Sequence, residues 1–269
     1  MMLFHMKNLS PRILLLLLVF AACKPEEPGP DGTPYKEGVF ILNEGNFLAA
    51  NATLDFYNIG NATNYSDIFR TANSAPLGDV LQSLTVYKER AYIVVNNSQK
   101  IEVCNVETME REATISGFTS PRYLFPVSAK KAYVSDLYSG TLSIVNLESN
   151  SVSGAIPVPG WSERMIKLGK EVWISNSRQV YILDSDTDQL TDSIAIGLGG
   201  NSIVEDREGK VWVLCGGDFA TSAPASLHRI DPASREVLLS LTFAAGEYPG
   251  ELSRSPDSRT IYYVAGGGV

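Results

Sequence analysis

Ala132-Tyr133-Val134-Ser135-Asp136, followed three residues later by Gly140-Thr141-Leu142-Ser143-Ile144-Val145-Asn146, is the stretch on which the reading of this chain turns. The first run has five counterparts that also carry an aromatic at the second position: Val39-Phe40-Ile41-Leu42, Ala91-Tyr92-Ile93-Val94, Val172-Trp173-Ile174-Ser175, Val211-Trp212-Val213-Leu214 and Ile261-Tyr262-Tyr263-Val264. The six starts lie 52, 41, 40, 39 and 50 residues apart. In all but the last, a second strand follows: Thr53–Tyr57, Ile101–Cys104, Thr141–Val145, Gln179–Leu183 and Ser226–Ile230. Each runs into a turn opened by Asn58, Asn105, Asn146, Asp184 or Asp231. An Asx side chain at the head of a turn bonds the backbone just ahead of it, so the recurrence has a mechanism. A further strand comes next, as in 112–115 and 153–156. Four short strands per unit, a period near forty residues and no sustained 3.6-residue period outside the leader predict an all-β fold, a β-propeller.

Working outward, only a polar tether precedes Val39, so the first blade is expected to lack its innermost strand. The chain stops at Gly266-Gly267-Gly268-Val269, straight after the sixth repeat of the aromatic run. The propeller is therefore read as residues 38–269, about five and a half blades, incomplete at the C-terminus. A seven-bladed ring would need roughly 70 further residues at a spacing of about forty per blade.

The leader reads as an export signal over residues 1–22. Lys7 and Arg12 form its basic region, and Ile13 to Ala22 is an apolar run too short to span a bilayer, which takes about 20 residues. Small residues before Cys23 resemble the lipobox of bacterial lipoproteins, with Phe20 where Leu is usual. Cys23 is thus the expected lipidation site. Residues 23–37 form a proline-rich, extended tether. The acidic pair Glu26-Glu27 resembles the signal that sends Bacteroidetes lipoproteins to the outer face of the outer membrane. The resemblance implies a lipid-anchored protein at the cell surface.

Composition narrows the function. The 269 residues carry 30 acids against 22 bases, a net charge of −8, which leaves no electrostatic footprint for nucleic acid. Of two histidines, His5 falls in the leader and His228 stands alone in the body, which excludes a His-cluster metal site. Asp184-Ser185-Asp186-Thr187-Asp188 lacks the Gly and later Glu of a calcium loop and reads as a solvated turn. His228 alternates on a strand, the expected place of an ordinary strand histidine. Cys104 and Cys215 fall on different blades and are expected as two free, half-buried thiols. The reading is non-enzymatic, with no cofactor and no metal.

The run from Ala132 to Asn146, continuing to Ile156-Pro157-Val158-Pro159, resembles the YVTN repeat of YncE-like propellers. Gly38-Val39-Phe40-Ile41-Leu42-Asn43-Glu44-Gly45-Asn46-Phe47 resembles the first blade of Bacteroidetes surface lipoproteins of that class. Members of that group include one that captures cobalamin above an outer-membrane TonB-dependent transporter. The resemblance implies capture of a small-molecule nutrient, with a corrinoid as the leading ligand, and hand-over to such a transporter. The alternative is an adhesion or scaffold propeller that binds a protein or glycan.

On a propeller, the loops from second to third strand and the loops between blades share one face. The first set carries Asn43, Glu44, Asn46, Asn96, Asp136, Tyr138 and Asn176; the second carries Asp79, Gln82, Arg122, Tyr123, Trp161, Glu163, Arg164, Asn201, Tyr248 and Glu251. Aromatics beside amides and arginines suit a flat ligand with a polar edge. The expected ligand-binding residues are Asn43, Glu44, Asn46, Gln82, Arg122, Tyr138, Trp161, Arg164, Asn201 and Tyr248. The repeated aromatics, from Phe40 to Tyr262, are expected to pack blade on blade instead.

Overall fold

The computed structural model describes residues 35–265; the leader, Cys23, most of the tether and the Gly266–Gly268 tract lie outside the described residues. The first sheet has three strands, β1 (Gly38–Asn43), β2 (Thr53–Asn58) and β3 (Thr63–Tyr65). A short helix, α1 (Ile68–Asn73), leads to the second sheet, β4 (Leu81–Tyr87), β5 (Arg90–Val95), β6 (Lys100–Asn105) and β7 (Arg111–Ser116). The third holds β8 (Pro121–Pro126), β9 (Lys131–Asp136), β10 (Thr141–Asn146) and β11 (Ser151–Pro157). The fourth holds β12 (Ser162–Leu168), β13 (Glu171–Asn176), β14 (Gln179–Asp184) and β15 (Gln189–Ala195). The fifth holds β16 (Gly200–Glu205), β17 (Val211–Cys215), β18 (Ser226–Ile230) and β19 (Val237–Thr242), and β20 (Gly250–Arg254) pairs with β21 (Ile261–Val264) in the sixth.

Every sheet is an antiparallel meander in chain order, which is a propeller blade. Innermost strands β4, β8, β12, β16 and β20 neighbour one another around a central axis. The aromatic runs are β1, β5, β9, β13, β17 and β21. Among the described residues, β1 has no strand on its inner side. Helix α1 departs from the expectation of an all-strand chain; Asp67 caps it through the Arg70 amide, and Ile68 and Phe69 are buried in the first core cluster. Six residues are too few to show a helical period in sequence.

Hydrophobic burial lies between blades. The cluster around Tyr92 takes Ile101 and Val103 from blade two and Leu124, Val134 and Val145 from blade three. Tyr133 does the same against Met165 and Ile174, and Trp173 against Ile203 and Val213. Phe40 packs on the first cluster and Trp212 on the fifth, while Tyr262 is partly exposed. Cys104 and Cys215 are free but fully buried rather than half-buried, and burial pushes their thiols up to about 12 and about 11. Neither supplies a thiolate near neutral pH.

A second set of contacts ties the blades along what we call the lower face, where the Asx turns lie. Asn105, Asn146, Asp184 and Asp231 each accept a backbone N–H two residues ahead, as the sequence predicts. The fifth residue of these turns is left-handed without being glycine: Met109, Asn150, Asp188 and Arg235 have φ of 57°, 49°, 58° and 66°. From there three of them reach the preceding blade. Met109 is buried in the cluster with Leu54 and Phe56. Asp188 accepts from Lys131 Nζ at 2.6 Å and from the Tyr133 hydroxyl. Arg235 pairs with Glu171 at 2.6 Å and lies 5.0 Å over the Trp173 ring. Where Asn150 stands, Arg90 makes the link instead, donating to the Leu147 carbonyl at 3.1 Å.

The turn at Asp184–Asp188 is therefore structural. Lys170 and the Asp186 and Thr187 amides hold the Asp184 carboxyl down to about 2. Removing the wholly buried Trp173 as Trp173→Ala is expected to cost about 3–5 kcal/mol, read as a lower urea midpoint. Arg235→Ala, which strips only the ring's partly exposed cap, is expected to cost about 1 kcal/mol.

Candidate functional site

The opposite, upper face carries the other loops, and its shape starts from a repeated defect in the innermost strands. Each strand opens with a register shift: Leu81/Ser83, Pro121/Leu124, Ser162/Met165, Gly200/Ser202 and Gly250/Ser253. A bulge leaves residues out of the ladder and re-aims their side chains. Those left out here are Gln82, Arg122, Tyr123, Glu163, Arg164, Asn201, Glu251 and Leu252. Backbone groups near the shifts are bonded by buried serines. Ser83 Oγ donates to the Arg122 carbonyl at 2.6 Å, and Ser175 Oγ to the Arg164 carbonyl at 3.0 Å. Ser135 Oγ accepts the Tyr123 N–H at 3.1 Å, and Ser202 Oγ the Leu252 N–H at 3.0 Å.

These side chains converge on the mouth of a central cavity of about 340 Å³, whose lining includes Leu42, Gln82, Tyr123, Phe125, Arg164 and Leu252. Arg122 donates through Nε to Glu163 at 2.9 Å and through Nη1 to Gln82, so three neighbouring blades are joined. Arg164 bonds Glu251 through Nη2 and lies 4.5 Å over the Tyr123 ring. Burial raises the Glu163 carboxyl against the pull of Arg122. Burial would lower Arg122, but the Glu163 charge and hydrogen bond outweigh it and the net shift is upward. Burial also raises the Tyr123 hydroxyl. The mouth is a chain of paired charges around one aromatic plate.

Of the residues expected from sequence, Gln82, Arg122 and Arg164 are brought together here, and the Glu44 charge acts on Arg122. Asn201 sits beside them, donating to the Pro249 carbonyl at 3.4 Å. Trp161, Tyr248 and Tyr138 are exposed by 39%, 42% and 76% in the loops of this face, outside the cavity lining, and Tyr248 meets the Phe219 ring edge-on at 5.8 Å. Asn43 donates to Thr53 Oγ1 across its hairpin, and the Asn46 backbone shapes its own turn with Asn51 and Ala49. Tyr123, Glu163 and Glu251 belong with the mouth although they were not among the ten; their signal is a place beside Arg122, Arg164 and Pro249-Gly250 at the head of an innermost strand. Three loop residues prove structural. Asn96 donates to Ser120 Oγ and the Pro121 carbonyl, buried Asp136 accepts the Thr119 and Ser120 amides, and Asn176 donates to Ser162 Oγ. Gly199, at φ 78°, approaches the Gly217 backbone so closely that a Cβ would lie 2.6 Å from its carbonyl oxygen.

A larger groove, about 510 Å³, lies between blades two and three on the lower face. Four of its six charged residues are matched, Arg90 with Glu112 at 2.7 Å and Lys130 with Glu148 at 2.9 Å. It carries less chemistry than the mouth.

His228 lies 2.9 Å from Ser226 Oγ, a pairing that invites a catalytic reading. Its Nε2 also accepts the Gly197 N–H at 3.1 Å, its Nδ1 faces Ser240 Oγ rather than a carboxylate, and Ser226 is buried. The ring is a neutral connector between the blade and its upper loop, and burial lowers its pKa. The unfolded chain binds this proton more readily than the folded one. The stabilisation is thus complete above the ordinary histidine value of about 6.5 and is lost as pH falls through the folded value. Urea midpoints at pH 8 and pH 5 test this: the acid loss should be smaller in His228→Gln than in the unaltered chain.

The chain resembles known propellers in fold. The WD40 propeller domain of Doa1 superposes with a TM-score of 0.65 at 10% identity, covering 87% of this chain and 72% of that one. A Bacteroides uniformis protein assigned as a 6-phosphogluconolactonase gives 0.64 at 14% identity, covering 86% and 76%. Hydrazine synthase from Kuenenia stuttgartiensis gives 0.63 at 15% identity; 69% of this chain is covered, spanning 55% of that chain. No curated protein matches the sequence. A family described as a domain of unknown function, DUF5074, matches residues 37–269. That match runs from just before β1 through the last residue, and the chain belongs to the DUF5074 family.

Proposed function

We propose that the upper face captures a small molecule without chemical turnover, and that the protein does so as a surface lipoprotein that passes its ligand to an outer-membrane TonB-dependent transporter. The observation that carries the binding reading is the set of five bulged strand heads, which gather arginine, glutamate, glutamine and tyrosine at one cavity mouth. The corrinoid identity rests on the resemblance to cobalamin-capturing surface lipoproteins. A corrin plane is too large for a cavity of about 340 Å³, so it would lie across the mouth with Trp161 and Tyr248 against its faces or edges. Polar groups around the mouth would meet its rim amides, each well-made bond contributing about 1 kcal/mol net.

A second reading, an adhesion or scaffold propeller for a protein or glycan, draws on a different feature of the same face. Phe47, Leu48, Tyr138 and Phe219 are exposed by 69%, 76%, 76% and 81% in its loops, outside the central cavity. Large apolar groups displayed in this way suit a broad partner. A screen of glycans beside corrinoids separates the two readings.

Calorimetry with cyanocobalamin tests the first. Trp161→Ala or Arg164→Ala is expected to weaken binding by about 2 kcal/mol if either is a hot spot, whereas Asp186→Ala and Glu148→Ala on the lower face leave it unchanged. Loss from the lower-face changes, with Trp161 and Arg164 silent, puts the site elsewhere. The anchor has its own test. Cys23→Ala is expected to release the protein from membranes, and a variant retained after a carbonate wash refutes lipidation at Cys23.

A further inference from the structure

Two guanidinium groups stand side by side at the mouth, and they are not equally served. Arg122 has Nε on Glu163 and Nη1 on Gln82. Arg164 has only Nη2 on Glu251; its Nε is buried without a hydrogen-bond partner among the described residues. Nε and Nη2 form one edge of the guanidinium, spaced to meet two oxygens of a single planar or tetrahedral anion. Glu251 meets half of that edge.

Glu251 is also a poorly held partner. Its side chain is 60% exposed, its backbone is left-handed at φ 53°, and Arg164 is its one hydrogen-bond partner among the described residues. The pair spans from blade four to blade six, past Asn201 of blade five. Beneath it the Tyr123 ring holds the guanidinium from its other side, 4.5 Å from ring centre to Cζ. The cation is fixed by an aromatic plate and the carboxylate is not. An arriving anion takes the hydrogen-bonding place of Glu251, and it also meets the charge of Glu163, which acts on Arg164 as well.

We propose that the ligand of this mouth carries an oxyanion, a carboxylate or a phosphate, that displaces Glu251 and takes the Nε–Nη2 edge of Arg164. This rests on the upper face being the binding site and adds the chemical class of the group it grips. Glu251 then acts as a built-in competitor that yields to a better-fitting anion. No covalent step is involved.

Inorganic phosphate and acetate, titrated separately into the full chain at constant ionic strength, test the proposal by thermal shift and calorimetry. The expected result is a rise in midpoint for at least one anion, and which anion acts tells phosphate from carboxylate. The rise should be larger in Glu251→Gln, where the competitor is neutral, and absent in Arg164→Gln. Arg164→Lys keeps the charge but not the two-donor edge, and should bind roughly tenfold more weakly, the worth of one charge-assisted hydrogen bond. Equal responses in all four proteins, or no response in any, overturn the proposal. Cyanocobalamin run on the same proteins separates the two readings. Anion effects that follow this order without corrinoid binding leave the inference standing and remove the corrinoid. Corrinoid binding with every anion arm flat does the reverse.

Discussion

A four-stranded antiparallel sheet has two apolar faces and no way to bury either by itself, and that constraint organises this molecule. Each blade is stable only as a wall between two neighbours. The residue that makes the wall continuous in blades two, three and four is the large aromatic of β5, β9 and β13: Tyr92, Tyr133 and Trp173 have almost no solvent exposure and sit in clusters drawn from two blades. Because those rings occupy one register in their three blades, the innermost strands there are held in one register too. The level placement of the strand heads, and so of the mouth, follows from packing elsewhere.

The two ends of the ring divide the work. At the lower end, ion pairs and ring contacts run from one blade to the next: Lys36 to Glu107, Lys131 to Asp188, Glu171 to Arg235. At the upper end, Asn96 performs that duty by donating to the Pro121 carbonyl of the next blade, while Asp136 and Asn176, also short side chains close to the backbone, bond the head of their own blade's innermost strand. Longer side chains at the strand heads are thereby left over for the cavity. Arginine and glutamate there join blades as well, but around a hollow rather than across a packed junction.

How much of this was legible in the sequence differs by physical cause. The aromatic run and the Asx turns are local signals, each with its own mechanism, and they located the blades. The bulges are not local. A shift at Pro121/Leu124 depends on Ser135, on the adjoining strand, accepting the Tyr123 amide, and on Ser83 of the preceding blade donating to the Arg122 carbonyl. A serine inside an apolar run gives no sign of which backbone group it will serve. For that reason Arg122 and Arg164 could be assigned to the upper face, whereas the joining roles of Tyr123, Glu163 and Glu251 could not be read. A pairing across a hairpin is equally hidden: Asn43 belongs to a favourable residue type in a favourable loop, and Thr53 lies within its reach and takes its amide.

The serine-bonded bulges bear on how a ligand would come and go. Backbone that has already given its donors and acceptors to fixed hydroxyls has little freedom to surrender when the mouth is filled. Encounter would then need no slow rearrangement of the loops, and ligands of different strength would arrive at similar speeds. They would be told apart by how long each one stays.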